Sequence, residues 1–471
     1  MKNIKSYLAM LIASVLLLSS CSDSFFDVNT DPNNPSTVTP NYVLPSGLAS
    51  SAFVIGGYYH ALGSMWTQQY AQSPSASQWN DWESYNLTED NFDNQFTTLY
   101  AGYSAVNSGG ALIDYEYVRN NTSASGNWKY YAISTLMQAY TFQVLADLYD
   151  QIPFTEALNG VKNIQPHYEA GPVVYDSLLS RIDKAMSKDF SAITAQDPGT
   201  SDLIFGGDMA KWQQFANTLK LKMYLRYVNV DPNKYKTQIQ TLLASNNFLA
   251  TDAAFSAFKP EETGYNPFYN TFVNRLAGNI SANTTMINFL TANSDPRKSK
   301  FYTASVKGTN YNGVATGESK SLAGLTIDNY ATPTFSNISP VYFFTVEETD
   351  FLIAEAQARY GTTVAAQAAF NAGVSASLVR EGLKANAISY PYNGIQSIIE
   401  QKWVAATNKR AIEAFFDYNR TGYPNFFTES SISVLQPGQR PKRLYFPASE
   451  RKSNVNTPAK VALTVKVWWG L

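Results

Sequence analysis

Apolar residues recur along most of this chain at the three- and four-residue spacing of helices that bury one side. The pattern predicts helices at roughly 46–73, 91–119, 126–150, 172–190, 209–229, 232–246, 347–360, 363–382 and 393–418. The stretch from Trp128 to Tyr149 is apolar on nearly every side (Tyr131, Ile133, Leu136, Met137, Tyr140, Phe142), as expected of a helix covered all round. In the next long helix Trp212, Phe215, Ala216, Leu219 and Met223 share a face, Lys220, Lys222 and Arg226 fall mostly off it, and Asp231-Pro232 ends the run. Phe351 to Tyr360, then Gly361, then Ala366 and Phe370 reads as a pair of antiparallel helices with the second-helix spacing of a tetratricopeptide repeat. Such pairs bury their faces by stacking on one another. The predicted fold is mainly α: a tetratricopeptide-like scaffold of helical pairs carrying long irregular loops.

Two regions break the periodicity. Residues 250–346 are rich in Gly, Asn, Thr, Ser, Pro and Tyr, and residues 72–90 hold Trp79, Trp82 and Tyr85 within a polar run. Irregular segments of this length on a rigid scaffold commonly carry function. The expected organisation is therefore a single domain over 42–471 with a loop-rich insertion at about 250–346.

The N-terminal region has a different character. Lys2 and Lys5 precede an apolar run from Leu8 to Leu18, about half the length that would span a bilayer. Leu18-Ser19-Ser20-Cys21 has the form of a bacterial lipobox. Residues 1–20 are read as a lipoprotein signal peptide, Cys21 as the lipidated residue, and 21–41 as a flexible tether. Asp27, Asn29, Asp31 and Asn33 alternate like the start of a calcium loop, but Pro32 and Val38 stand where that loop needs Gly and Glu. Cys21 is the only cysteine, so the mature chain forms no internal disulfide.

Composition narrows the partners. Only 15% of the 471 residues are charged and the formal net charge is -2, which supplies no field for nucleic acid and no polybasic patch for anionic lipid. Aromatic residues make up 14% (31 Tyr, 27 Phe, 8 Trp), suited to a neutral ligand that stacks on rings and bonds to amides. Catalytic patterns are scarce. The two histidines, His60 and His167, stand in unrelated contexts, and no phosphate-binding glycine loop is present. Ser449 and Lys452 fit S-x-x-K without its partner motifs. Glu347, Glu348 and Asp350 would allow a two-carboxylate glycosidase, although acidic residues also favour the start of a helix. No cofactor and no metal are expected.

Seven stretches in order, NTDPNNP (29–35), LADLYDQIPFTEAL (145–158), FANTLKLKMYLRYVN (215–229), FLIAEAQARYG (351–361), QKWVA (401–405), EAFFDYNRTGYP (413–424) and RLYFPASERKSNVN (443–456), together with the anchor, resemble the SusD/RagB-type outer-membrane lipoproteins of Bacteroidetes, most closely the SusD-like subgroup. The resemblance implies a non-catalytic nutrient-binding lipoprotein held to the outer membrane and facing the exterior. It would capture an oligosaccharide or peptide and deliver it to a TonB-dependent transporter of the SusC type. Asp23 and Asp27 resemble the surface-export signal of such lipoproteins. Glu413, Asp417 and Arg420 are expected to form a structural network. Ligand contacts are expected on irregular loops: first at Trp79, Asn80, Trp82 and Tyr85, second at Tyr265, Asn266, Phe268, Tyr269, Asn274 and Arg275, and more weakly at Tyr311, Asn312 and Tyr330. The competing readings are a surface glycoside hydrolase and a structural protein without a small ligand.

Overall fold

The computed structural model describes residues 38–471 apart from 75, 103–108 and 323. The signal peptide, Cys21, the export signal, the calcium-like stretch and most of the tether lie outside the described residues. The principal helices are α1 (Pro40–Val54), α2 (His60–Trp66), α3 (Ala111–Ser125), α4 (Trp128–Tyr149), α5 (Gly171–Met186), α6 (Met209–Arg226), α7 (Val346–Tyr360), α8 (Thr363–Arg380), α9 (Gly394–Ala405) and α10 (Ala411–Thr421). α3 packs on both α1 and α4, α4 on α5, and α7 on α8, which is the predicted architecture of stacked helical pairs. α4 is buried on every side, with all residues from Tyr130 to Tyr149 inside.

In the α7–α8 pair, Phe351 and Ala354 meet Phe370 and Val374, and Ile398 and Ile399 of α9 complete this smaller core. Gly373 lies directly under the Phe351 ring, where a Cβ would approach a ring carbon to 2.8 Å. Among the starts of α1 to α10, side chains cap α6, where Asp208 accepts from the Ala210 and Lys211 amides, α7, where Thr345 accepts from Glu348, and α8, where Thr362 accepts from Ala365.

Three predicted helices are interrupted. The first begins at Pro40, passes through a π-helical turn at Ile55–Tyr59 and stops at Trp66. Gly56 faces Val341 and Gly63 faces the backbone at Ala411, so both glycines permit close approaches that any side chain would obstruct. The predicted helix at 91–119 divides into Asp93–Ala101 and α3, with Gly102 at a φ of 88°. The one at 393–418 divides at Asn408, which takes a left-handed φ of 62° and whose amide donates to the Phe301 and Thr334 carbonyls. Its bonds to distant backbone outweigh the local helical pattern.

The insertion is more ordered than its composition predicts. Tyr70–Gln72 pairs antiparallel with Ile280–Ala282, Ala253–Phe255 with Val341–Phe344, and Tyr302–Thr303 with Thr332–Pro333. Each ladder is two to four residues long, too short for alternation to reveal it. The pairings fasten the insertion to the helical scaffold.

Lys222 and Arg226 are the main departure from the amphipathic reading, since both are buried. They enter an ionic network among α4, α6, α7, α9 and α10 in which five carboxylates (Asp147, Glu348, Glu355, Glu413, Asp417) face five buried cations (Lys222, Arg226, Lys402, Arg410, Arg420), and the half-buried Arg359 joins at Glu355 at 2.8 Å. Glu413 lies 2.8 Å from Lys222, 3.2 Å from Arg226 and 3.0 Å from Arg410. Asp417 lies 2.8 Å from Lys402 and 2.9 Å from Arg420, which also grips Glu355. The four-residue spacings of Lys222 with Arg226 and Glu413 with Asp417 set each pair on one helix face. Glu413, Asp417 and Arg420 are thus joined structurally, as expected.

Candidate functional site

A concavity of about 450 Å³ lies in the insertion. Its base is the helix Thr284–Ala292, whose first turn is capped by the Asn283 side-chain Oδ1 accepting from the Thr285 amide at 2.9 Å. Its walls are two turns, 311–313 and 325–330. Backbone bonds draw both turns onto the strand Ile280–Ala282: Ala282 donates to the Ala331 carbonyl at 2.7 Å, Val314 to Ala282 at 2.9 Å, and Ala331 to Asn312 at 2.8 Å. The pairing therefore sets Tyr311 and Asn312 beside Asn329 and Tyr330, with Ile287 and Asn288 beneath.

The lining suits a ligand that is flat and polar at its edges. Tyr311 is half-buried, and the Lys298 ammonium lies 5.4 Å from its ring centre. Asn312 donates to the Asn329 carbonyl at 3.2 Å, which steadies one wall. Asn288 is exposed and its side chain makes no hydrogen bond among the described residues, which leaves a donor and an acceptor free. Leu325 is 42% exposed at the rim and adds an apolar contact.

The first-choice loop residues are placed otherwise. Trp79, Trp82 and Tyr85 belong to the main core, 4%, 6% and 3% exposed. Trp79 packs at 4.8 Å from Trp82 and 4.9 Å from Phe272, and Trp82 at 5.1 Å from Phe92. Ser77, Gln78 and Asp81 take the solvent side of the same stretch. A polar stretch covers the aromatics, which corrects the expectation that they are displayed on it. Asn80 is half-buried with its side-chain Oδ1 unpartnered among the described residues. Beneath this loop the buried Glu83 carboxylate accepts from the amides of Gln72 (2.8 Å) and Gly317 (3.1 Å), and Gln72 donates to Ser319 at 2.9 Å. Burial pushes the pKa of Glu83 up to about 7 against these two bonds. The segment stitches the insertion to the scaffold.

The second cluster divides. Asn266 and Phe268 are fully buried. The Asn266 side-chain oxygen accepts from the Phe268 and Tyr269 amides and its nitrogen donates to the Ser339 carbonyl, so it fixes the turn that leads into the π-helical segment Tyr269–Arg275. Tyr265 and Tyr269, half-buried, meet edge to face at 5.3 Å, while Asn274 and Arg275 are exposed and Arg275 lies 3.7 Å from Glu262. None of the six lines the 450 Å³ pocket. The residues ranked last, Tyr311, Asn312 and Tyr330, are the ones brought together there. Asn288 and Asn329 were missed because nothing local distinguishes them from the many other amides of the insertion.

Most residues of the catalytic alternatives are held in structural contacts, while Asp350 is half-buried with its pKa pushed up to about 7, chiefly by burial. His60 is buried, its pKa pushed down to about 3 chiefly by burial, and Nδ1 accepts from the Ala411 amide at 3.4 Å. His167 is exposed on a separate loop beside Glu156. Glu347 is paired with Arg380 at 2.7 Å and Glu348 with Arg410 at 2.5 Å. The Ser449 hydroxyl donates to Asp93, away from Lys452, which faces Asp90.

The fold has many solved counterparts. A SusD homologue from Bacteroides uniformis shares 22% identity at a TM-score of 0.72, over 91% of this chain and 99% of the other. A SusD-like protein from Bacteroides thetaiotaomicron shares 21% at 0.74, over 92% and 99%. A structure described as a chitin-binding protein shares 20% at 0.72, over 92% and 100%. At these identities the likeness is one of fold. No curated protein matches the chain. The family model described as SusD-like, "starch-binding associating with outer membrane", matches residues 32–447, nearly the whole of the described chain, and this chain belongs to that SusD-like family.

Proposed function

We propose that the protein is a non-catalytic, surface-exposed glycan-binding lipoprotein that captures an oligosaccharide and passes it to a SusC-type TonB-dependent transporter. The observation that carries the reading is the 450 Å³ pocket, where the half-buried Tyr311 stands beside the amides of Asn288, Asn312 and Asn329, with the largely buried Tyr330 also in the lining. Aromatic faces stack on the apolar face of a pyranose ring and amides bond to its hydroxyls. The family description names starch and one fold relative is called chitin-binding, which favours a glycan over a peptide. Lipid at Cys21 and the tether that follows would hold the protein beside its transporter as a lid. No helix of the described residues is long and apolar enough to cross a membrane, which is compatible with attachment through lipid.

Calorimetry of the mature chain against maltoheptaose, chitohexaose and a peptide of similar length tests the ligand class. A glycan should bind, and Tyr311→Ala should weaken it about tenfold, the value of one lost stacking contact of about 1.4 kcal/mol. Wild-type affinity in Tyr311→Ala would remove the pocket from the reading, and binding of the peptide alone would replace the ligand. Cys21→Ala should fold and bind normally while failing to support uptake in cells, and should no longer co-purify with the transporter from the membrane.

A further inference from the structure

A second pocket, of about 170 Å³, lies on the other flank of the helix Thr284–Ala292. At 100° per residue, Thr284, Ile287 and Asn288 of the first pocket project to one side, while Phe289 and the following Asn293 project to the opposite side and line the second. Tyr390, Asn393, Gln396 and Glu400 close it from the start of α9 and the segment before it. None of these belongs to the clusters predicted from sequence.

The pocket has a fixed aromatic wall. The Tyr390 ring lies parallel to Phe289, with centroids 6.2 Å apart and planes 4° apart. The Tyr390 hydroxyl donates to Asp295 at 2.7 Å. Asp295 is gripped by the fully buried Arg297 at 2.6 Å, and Arg297 donates in turn to Ser377 and Gln401 at 2.9 and 2.8 Å. A buried ion pair thus holds the Tyr390 ring in place, and a wall fixed in advance loses little entropy on binding.

The same pocket is lined by a carboxylate with spare capacity. Glu400 is half-buried, accepts from the Gln396 amide on one oxygen at 2.9 Å, and has no cation partner among the described residues. Burial raises the pKa of Glu400, with the Gln396 bond opposing, so a donor supplied from outside would relieve it. The Asn293 nitrogen is committed to the Phe289 carbonyl at 2.8 Å, which leaves its oxygen as a further acceptor. An aromatic wall and acceptor oxygens in one pocket match a group apolar on its face and rich in hydroxyl donors at its edge.

We infer that this pocket is a second subsite for a neutral pyranose unit, stacked against Phe289 and Tyr390 with its hydroxyls donating to Glu400. The inference rests on the glycan reading above and extends it: the helix Thr284–Ala292 becomes a ridge between two subsites, and a ligand engaging both gains avidity that a short sugar lacks.

Calorimetry with maltoheptaose and chitohexaose on the mature chain separates the two readings. Glu400→Ala and Tyr390→Ala should each weaken the bound oligosaccharide about tenfold, the equivalent of one hydrogen bond or ring contact of about 1.4 kcal/mol. Glu400→Ala should melt as wild type, because no ion pair is lost. Residual binding in Tyr311→Ala should vanish in Tyr311→Ala/Glu400→Ala. If wild type binds either probe and both single variants keep its affinity, the second subsite is wrong and the first pocket stands. If wild type binds neither probe, both readings fall.

Discussion

Replacing Glu413 by Gln removes one negative charge from the centre of the buried network without changing its shape. In the native protein this carboxylate touches Lys222, Arg226 and Arg410 at 2.8 to 3.2 Å, and both it and its partners are at most 3% exposed at the side chain. Burial alone would raise its pKa, but the three cations outweigh that and hold it well below the ordinary carboxylate range. In Glu413→Gln five buried cations face four carboxylates. Breaking a buried pair by removing one partner costs about 3–5 kcal/mol, since the remaining charge keeps its desolvation penalty and loses its compensation. Guanidinium denaturation of wild type and variant at pH 7 should show a loss in that range with an unchanged dependence on denaturant. The pH dependence gives a second check. A carboxylate with a depressed native pKa contributes stability that is complete above its unfolded value near 4.5 and is lost as pH falls toward the native value. Wild type should therefore lose stability below about pH 4.5 more steeply than Glu413→Gln. A variant within 1 kcal/mol of wild type at pH 7 would refute the claim that the network depends on charge balance.

Other positions give separable outcomes. Trp79→Ala should cost about 3–5 kcal/mol of stability as a core cavity, with glycan affinity retained in whatever folds; loss of binding without loss of stability would return Trp79 to the site. Gly63→Ala places a Cβ 2.4 Å from the backbone at Ala411, which cannot rotate aside, so melting should report a loss of about 1–3 kcal/mol. Glu83, with a native pKa near 7 against 4.5 unfolded, contributes stability that is fully present below pH 4.5 and fades as pH rises through 7, about 3 kcal/mol in all. In Glu83→Gln that fading should be absent from a series of denaturation curves between pH 4.5 and 8.

The helical scaffold was legible because its signal is local. A helix that buries one face repeats its apolar residues every three to four positions, and the α7–α8 pair could be read from Phe351, Gly361, Ala366 and Phe370 alone. The same locality explains where the reading failed. Asn408 breaks a continuous helical pattern because its amide answers carbonyls about 70 and 110 residues away. Lys222 and Arg226 read as solvent-facing because a charged residue with a distant counter-ion looks like any surface lysine or arginine until the partner arrives.

What the sequence by itself determined is the class of molecule: a helical-pair scaffold interrupted by an aromatic, amide-rich insertion and poor in charge. Only the tertiary structure decided which aromatics are wall and which are core. Trp79 and Tyr311 both sit in polar, aperiodic stretches, and no local rule separates them. Trp79 turns inward because Phe272, nearly two hundred residues later, supplies an apolar surface for it. Tyr311 stays at a pocket because the strand Ile280–Ala282 holds its loop by the backbone and leaves its ring beside open space. Burial is a property of what arrives from elsewhere in the chain, and that information is carried by the contacts.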